Sequence, residues 1–181
     1  MGPPAFTLLG RRFVARGRFI ALERAYYLAE GDRWTVREVV RHPGSAAVVP
    51  WDGRRVHLVR QHRAAVGGTL LELPAGKLDV RGESPGEAAG RECSEELGLR
   101  PGRLVLLHVG YTSPGFTDEL TWIYLGEDLV AAPAAPQGPE EAAAEVVSLS
   151  LDEVAAALED GTVRDAKTIL GLYSLLRRLG R

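Results

Sequence analysis

The chain has a single cysteine, Cys93, in 181 residues. One thiol cannot close an internal disulfide, so the fold must rest on its core. Lysine is nearly as scarce. Of 22 basic residues only Lys77 and Lys167 are lysine, which reads as genome composition more than mechanism. No apolar run is long enough to cross a bilayer and no secretory leader is visible, so a cytoplasmic protein with no membrane partner is expected. A net charge of −2 gives no reason to expect nonspecific nucleic-acid binding. His42, His57, His62 and His108 are scattered without metal-ligand spacing and read as strand or surface residues.

What is present is ordinary for a soluble globular protein: 45% hydrophobic and 25% charged residues, in a chain long enough for one domain with a real core. The exception is Gly76 to Leu99, GKLDVRGESPGEAAGRECSEELGL, which gathers Glu83, Glu92, Glu95 and Glu96 into a short loop and one helix. Ser84 and Glu87 form a capping box, with Pro85 at the first helical position. Gly98 is the expected left-handed stop, and Pro101 follows it. Ala89, Cys93 and Leu97 recur every four residues as the apolar stripe. Glu92, Glu95 and Glu96, spaced i, i+3, i+4, share the neighbouring face.

Glu95 and Glu96 stand at the C-terminal end of that helix, the unfavourable pole for an anion, and they repel Glu92. A solvated acidic face is the plain reading of such a run. A divalent cation would remove the conflict, and hard carboxylate oxygens suit Mg²⁺ or Mn²⁺.

Around this stretch the pattern alternates strands and helices. Residues 11–42 form a strand-rich piece with a turn at Gly31-Asp32, too short for an independent domain, and Pro43-Gly44 ends it. The organisation expected is residues 1–43 as an N-terminal β piece that packs on the main domain or, forming a dimer, on a second subunit, then residues 44–181 as the main domain. Ser45–Pro50 and Arg55–Gln61 read as strands joined at Asp52-Gly53, a hairpin signal. Leu70–Leu73, Arg103–Thr112, Glu119–Leu125 and Glu145–Leu149 are further strands. Residues 130–143, rich in Ala and Pro, read as a mobile loop carrying Glu140 and Glu141. Ser150 and Glu153 form a second capping box, and Asp165 caps a last helix through about Leu179. Patterning alone yields α+β; Trp51 and Trp122 are assigned to packing.

The acidic stretch resembles the Nudix box, G-x5-E-x7-R-E-U-x-E-E-x-G-U with U apolar. Glu83, Arg91, Glu92, Cys93, Glu95, Glu96, Gly98 and Leu99 fall in register, and six residues instead of five separate Gly76 from Glu83. A wider turn is expected there, not a lost site. The resemblance implies an α/β class fold, a Nudix-type α/β/α sandwich with a mixed β-sheet preceded by the small strand-rich piece.

Arg37-Glu38-Val39-Val40, Val59-Arg60-Gln61-His62-Arg63, Glu72-Leu73-Pro74-Ala75-Gly76 and Ser113-Pro114-Gly115-Phe116-Thr117-Asp118-Glu119 are similar to the ADP-ribose pyrophosphatase branch. The wider Leu-Asp-Val-x-Gly-Glu loop resembles actinobacterial members. The likeness covers about residues 10–178. It implies Mg²⁺-dependent hydrolysis of ADP-ribose to AMP and ribose 5-phosphate, by a homodimer with exchanged N-terminal strands.

The same resemblance assigns roles. Glu92 and Glu96 are the first-choice metal ligands, completed by the Ala75 carbonyl; Glu95 shares the metal, and Glu83 binds it or orients the others. Arg91 pairs with the box carboxylates, the planar fork suiting them. The general base falls on the loop before the late strand, with Glu141 preferred over Glu140, although the usual position counts to Ala142. Arg63 matches the arginine that meets the diphosphate, and Arg37 and Glu38 match residues near the adenine. Trp34 stacks on adenine across the dimer or is a buried interface aromatic; Phe116 lines the ribose pocket or simply packs. Two other readings stand beside this one. The first is the same chemistry on another nucleoside diphosphate, such as a nucleotide sugar. The second is a non-hydrolytic ADP-ribose sensor, against which the intact box glutamates argue.

Overall fold

The computed structural model describes residues 5–31 and 33–181. The expected Gly31-Asp32 turn lies partly outside them, at Asp32. The chain divides into two compact units, residues 1–44 with 111–120, and residues 45–110 with 121–181.

The first unit is built on three antiparallel strands in order: β1 (Phe6–Arg16), β2 (Ala21–Ala29) and β3 (Arg33–Arg41). The strand-rich piece therefore begins earlier than residue 11. The β2–β3 register runs unbroken from Ala21–Arg41 to Ala29–Arg33, whereas β1 shifts between Leu8 and Gly10 and between Phe13 and Ala15. A loop distant in sequence is stitched to the end of β3. Val40 donates its N–H to the Phe116 carbonyl at 2.7 Å and accepts from the Asp118 N–H at 3.3 Å. Arg41 then bridges Asp118 Oδ2 at 2.8 Å and the buried Glu23 at 2.5 Å.

The second unit holds β4 (Ser45–Pro50), β5 (Arg55–Arg63), β6 (Gly68–Glu72), β7 (Ala75–Lys77), α1 (Pro85–Leu97), β8 (Leu99–Tyr111), β9 (Leu120–Ala131), α2 (Pro139–Ala142), β10 (Glu145–Ser150), α3 (Leu151–Glu159) and α4 (Ala166–Arg178), apart from Tyr111 and Leu120 at two strand ends. One sheet has the order β7-β4-β9-β8, with β4 parallel to β9 and antiparallel to β7; the other, β10-β5-β6, is antiparallel.

Strand β4 explains the layering, because successive side chains point to opposite faces. Ala46 and Val48 pack with Ala88, Ala89 and Cys93 of α1. Ala47 and Val49 pack with Val154 and Ala157 of α3 and Leu172, Leu175 and Leu176 of α4. The mixed sheet thus lies between helices, as an α/β/α sandwich. Burying each of Val48 and Val49 is worth about 1.5–3 kcal/mol. Trp51 packs against the α3/α4 core, as expected.

Two expectations are corrected. Strands β4 and β5 do not form a hairpin. The Asp52 carboxylate accepts the N–H groups of Arg54 and Arg55, both at 2.7 Å, so the turn is real. The arms meet only next to the turn, at the Asp52 N–H to Arg55 carbonyl bond of 3.2 Å and the Trp51–Val56 bridge, and the strands then continue into different sheets. Strand β4 is buried on both faces; β9 pairs along its whole length, and the other edge is taken by β7 at Ser45–Ala47 and by the Pro74 carbonyl at Val48, while β5 pairs with β6 and β10 instead. The segment 130–143 is also not one loop. Strand β9 runs to Ala131, and Glu140 and Glu141 lie on the four-residue α2.

Candidate active site

Helix α1 forms as its sequence directs. The Ser84 hydroxyl accepts from the Glu87 N–H, Glu87 reaches back to the Ser84 N–H at 2.8 Å, and Gly98 closes the helix at φ 66°. The additional residue before Glu83 is absorbed by a turn in which the Glu83 N–H meets the Val80 carbonyl at 3.2 Å, with Gly82 at φ 87°. Glu83 still reaches the helix.

Arg91 organises the acids. Its Nε and Nη2 fork onto Glu83 at 2.8 and 3.0 Å, and its Nη1 meets Glu92 at 2.7 Å and Glu95 at 2.9 Å. Its hydrogen bonds and opposite charge with Glu83, then Glu92, raise the guanidinium pKa further above its ordinary value. Among the described residues no three acidic, histidine or cysteine side chains are gathered into a ready-made coordination shell. The guanidinium instead holds three of the box carboxylates in one neighbourhood.

Glu96 lies outside that fork. Its Oε1 accepts the Ala75 N–H at 3.3 Å, while its Oε2 is shut off from solvent with no hydrogen-bond partner. Burial, followed by the charges of Glu92 and Glu141, pushes its pKa up to about 8. Burial also raises Glu92, against the pull of Arg91. Gly76 passes so close to Glu92 that a Cβ there would lie 1.9 Å from the carboxylate Oε1, so this strand needs a glycine for the acid to stand where it does. A buried, unpartnered carboxylate oxygen beside a second destabilised carboxylate is a donor set that fits a hard divalent cation. Burial pushes the Cys93 thiol up to about 12, so this residue is packing and not a nucleophile.

The other expected residues fall into two groups. Glu141 is near enough for its charge to act on both Glu92 and Glu96. Gln137, which the sequence reading missed, accounts for this placement. Its N–H meets Glu141 Oε2 at 2.5 Å and its side-chain amide meets Glu95 at 3.2 Å. Arg63 forks onto the buried Glu72 at 2.8 and 2.9 Å. Glu72 also went unassigned, although it stands inside the Glu72-Leu73-Pro74-Ala75-Gly76 stretch.

Arg37, Glu38 and Phe116 lie in the first unit and line one pocket of about 520 Å³, together with Tyr27, Tyr111 and Pro114. Trp34 is on β3, 68% exposed, and is not among the residues lining that pocket. His57 bridges Asp52 and Ser148, and His108 bonds Ser174.

Comparison with known proteins agrees with this geometry. Residues 41–171 match the NUDIX domain. ADP-ribose pyrophosphatase of Bacillus subtilis (strain 168) is 36% identical over 77% of this chain and 75% of its own length. The enzyme of the same name from Mycobacterium tuberculosis (strain ATCC 25618 / H37Rv) is 38% identical over 68% of this chain and 60% of its own, in keeping with the actinobacterial likeness. GDP-mannose pyrophosphatase of Cronobacter sakazakii (strain ATCC BAA-894) is 30% identical over 94% of this chain and 95% of its own. In three dimensions, the crystal structure of an ADP compounds hydrolase superposes with a TM-score of 0.86, covering 100% of this chain and 99% of that one at 24% identity, a likeness of fold. With its carboxylate helix, its buried Glu96 and these matches, the chain belongs to the NUDIX family.

Proposed function

We propose that this enzyme hydrolyses the pyrophosphate bond of ADP-ribose, giving AMP and ribose 5-phosphate, with Mg²⁺ as its metal. The observation that carries the reading is the unpartnered, solvent-excluded Glu96 Oε2 beside Glu92, in a chain whose relatives include two ADP-ribose pyrophosphatases. Glu92, Glu96 and the Ala75 carbonyl would hold the metal, with Glu95 and Glu83 contributing or orienting. Once bound, the metal neutralises diphosphate charge and lowers the pKa of water.

The chain's own residues supply the rest. Glu141 takes the proton of the attacking water; its charge acts on both metal-site carboxylates, and Glu140 is the understudy. Arg63 meets the diphosphate with its positive charge and the Nη1 that its fork onto Glu72 leaves outside the pair. Arg37, Glu38 and Phe116 hold the nucleoside end, and their shared pocket supports that grouping. Trp34, 68% exposed, is free to stack on adenine across a dimer. Exposed Phe6, Leu9, Phe13 and Val14 on β1 support a homodimer with exchanged N-terminal strands. No helix among the described residues is long and apolar enough to cross a membrane. One buried free cysteine suits a cytoplasmic enzyme.

A panel of ADP-ribose, GDP-mannose, NADH and a dinucleoside polyphosphate tests the reading, with Mg²⁺ and with chelator. The expected result is metal-dependent AMP release with kcat/KM highest for ADP-ribose. The second reading, a nucleotide-sugar substrate, is favoured by the GDP-mannose pyrophosphatase likeness, and a preference for GDP-mannose would establish it. Binding of ADP-ribose without turnover of any substrate would make the chain a sensor.

The pH dependence has a defined sign. Below about 8 the metal-free protein holds a proton on Glu96, and a cation must displace it. Mg²⁺ affinity should therefore rise between pH 6.5 and 8.5, with proton release at pH 7 visible by calorimetry in buffers of different ionisation enthalpy. Affinity that is flat across this range would contradict the Glu96 assignment.

A further inference from the structure

Lys167, one of two lysines in the chain, is only 15% exposed at its side chain, on the first turn of α4. Its ammonium lies 2.5 Å from Glu72 Oε2 and 3.0 Å from Asp165 Oδ1. Glu72, 1% exposed, also receives both Nε and Nη2 of Arg63, which leaves Nη1 outside the pair. The four side chains form an alternating series: Asp165, Lys167, Glu72, Arg63.

The outer carboxylate is offset locally. Asp165 caps α4, accepting from the Thr168 N–H at 3.0 Å and hydroxyl at 2.6 Å at the positive end of the helix. Glu72 has no helix end to offset it. Paired with Arg63 alone, it would cancel the guanidinium's field. Shared with a second cation, it does not. Glu72 is buried and Lys167 nearly so, which weakens screening between them, although Arg63 itself is 38% exposed at its side chain; burial of Glu72 is outweighed by its two cations, which hold its pKa below the usual carboxylate range.

We propose that Lys167 is a positioning residue: by sharing Glu72 with Arg63 it leaves the guanidinium's positive charge available to the substrate diphosphate. The proposal rests on the reading above that Arg63 meets the diphosphate. An ammonium suits this place, since Lys167 acts as a compact point charge between two carboxylates.

The test is the KM for ADP-ribose and the Kd of ADP, by calorimetry, at saturating Mg²⁺. Lys167→Met should raise both by about five- to tenfold, with kcat changed much less. The double variant Lys167→Met/Glu72→Gln should recover most of that loss, because the carboxylate that neutralises Arg63 is gone. A merely structural role predicts that the double variant is worse than the single. Should Lys167→Met fail to fold, Asp165→Asn supplies the opposite sign. Asn caps a helix as well as Asp, so removing this negative charge should tighten ADP by about two- to threefold. Unchanged ADP binding in Lys167→Met, a double variant no better than the single, or weaker binding in Asp165→Asn would each overturn the proposal. Failure of the wild type to hydrolyse ADP-ribose while still binding ADP would overturn the substrate reading instead, and the ADP constants would still decide the role of Lys167.

Discussion

Glu96→Gln should lower kcat by more than about a hundredfold, since even groups standing behind a metal ligand are worth roughly 10–100-fold. The same substitution should make the metal-free protein more stable in alkali. Glu96 has its pKa pushed up to about 8 by burial and by its acidic neighbours. A carboxyl raised in the folded state contributes full stability below its unfolded pKa, near 4.5. That stability is lost as pH rises through about 8, where the buried group must ionise. The loss is on the order of a few kcal/mol, since each pKa unit is about 1.4 kcal/mol. Gln keeps the shape and never ionises. In chelator the variant should match wild type in Tm at pH 5 and exceed it by several degrees at pH 9. Saturating Mg²⁺ should narrow the gap by stabilising wild type alone. A wild-type kcat in the variant, or equal Tm values at pH 9, would remove Glu96 from the metal site.

Glu141→Gln is the second large effect expected. A positioned general base is worth about 10²–10⁴ in rate, and Gln cannot accept the proton. kcat should fall by that amount while Mg²⁺ affinity, measured by calorimetry, stays close to wild type; this split separates a base from a ligand. The carboxylate is held by the Gln137 N–H at 2.5 Å, an arrangement an amide side chain can still share through its carbonyl, so the loss should not come from a displaced helix. Glu140→Gln is the control. Glu141, not Glu140, is among the charges that chiefly shift Glu92 and Glu96, and little change in kcat is expected. The reverse result would make Glu140 the base.

Much of the acidic helix was legible because its determinants are local. The Ser84–Glu87 box, Pro85 and Gly98 each act within one turn, and all stand where the sequence places them. The same holds for the Ser150–Glu153 box and the Asp165 cap. Where local signals were ambiguous, the sequence misled. Asp52-Gly53 makes a sound turn, but a turn does not say whether its arms pair. That depended on β4 pairing with β7 and β9 while β5 paired with β6 and β10.

The chain's own residues thus determined which acids belong together, since spacing along one helix puts Glu92, Glu95 and Glu96 on one face and Arg91 among them. Only the tertiary structure decided how each acid behaves. Glu96 is raised because the fold buries it and sets the charge of Glu141 beside it as well as that of Glu92, and Glu72 is lowered because Arg63 and Lys167, far apart in sequence, converge on it. Order along a helix is set by bonds between neighbours, whereas the cost of a charge is set by whatever the fold brings within a few ångströms of it.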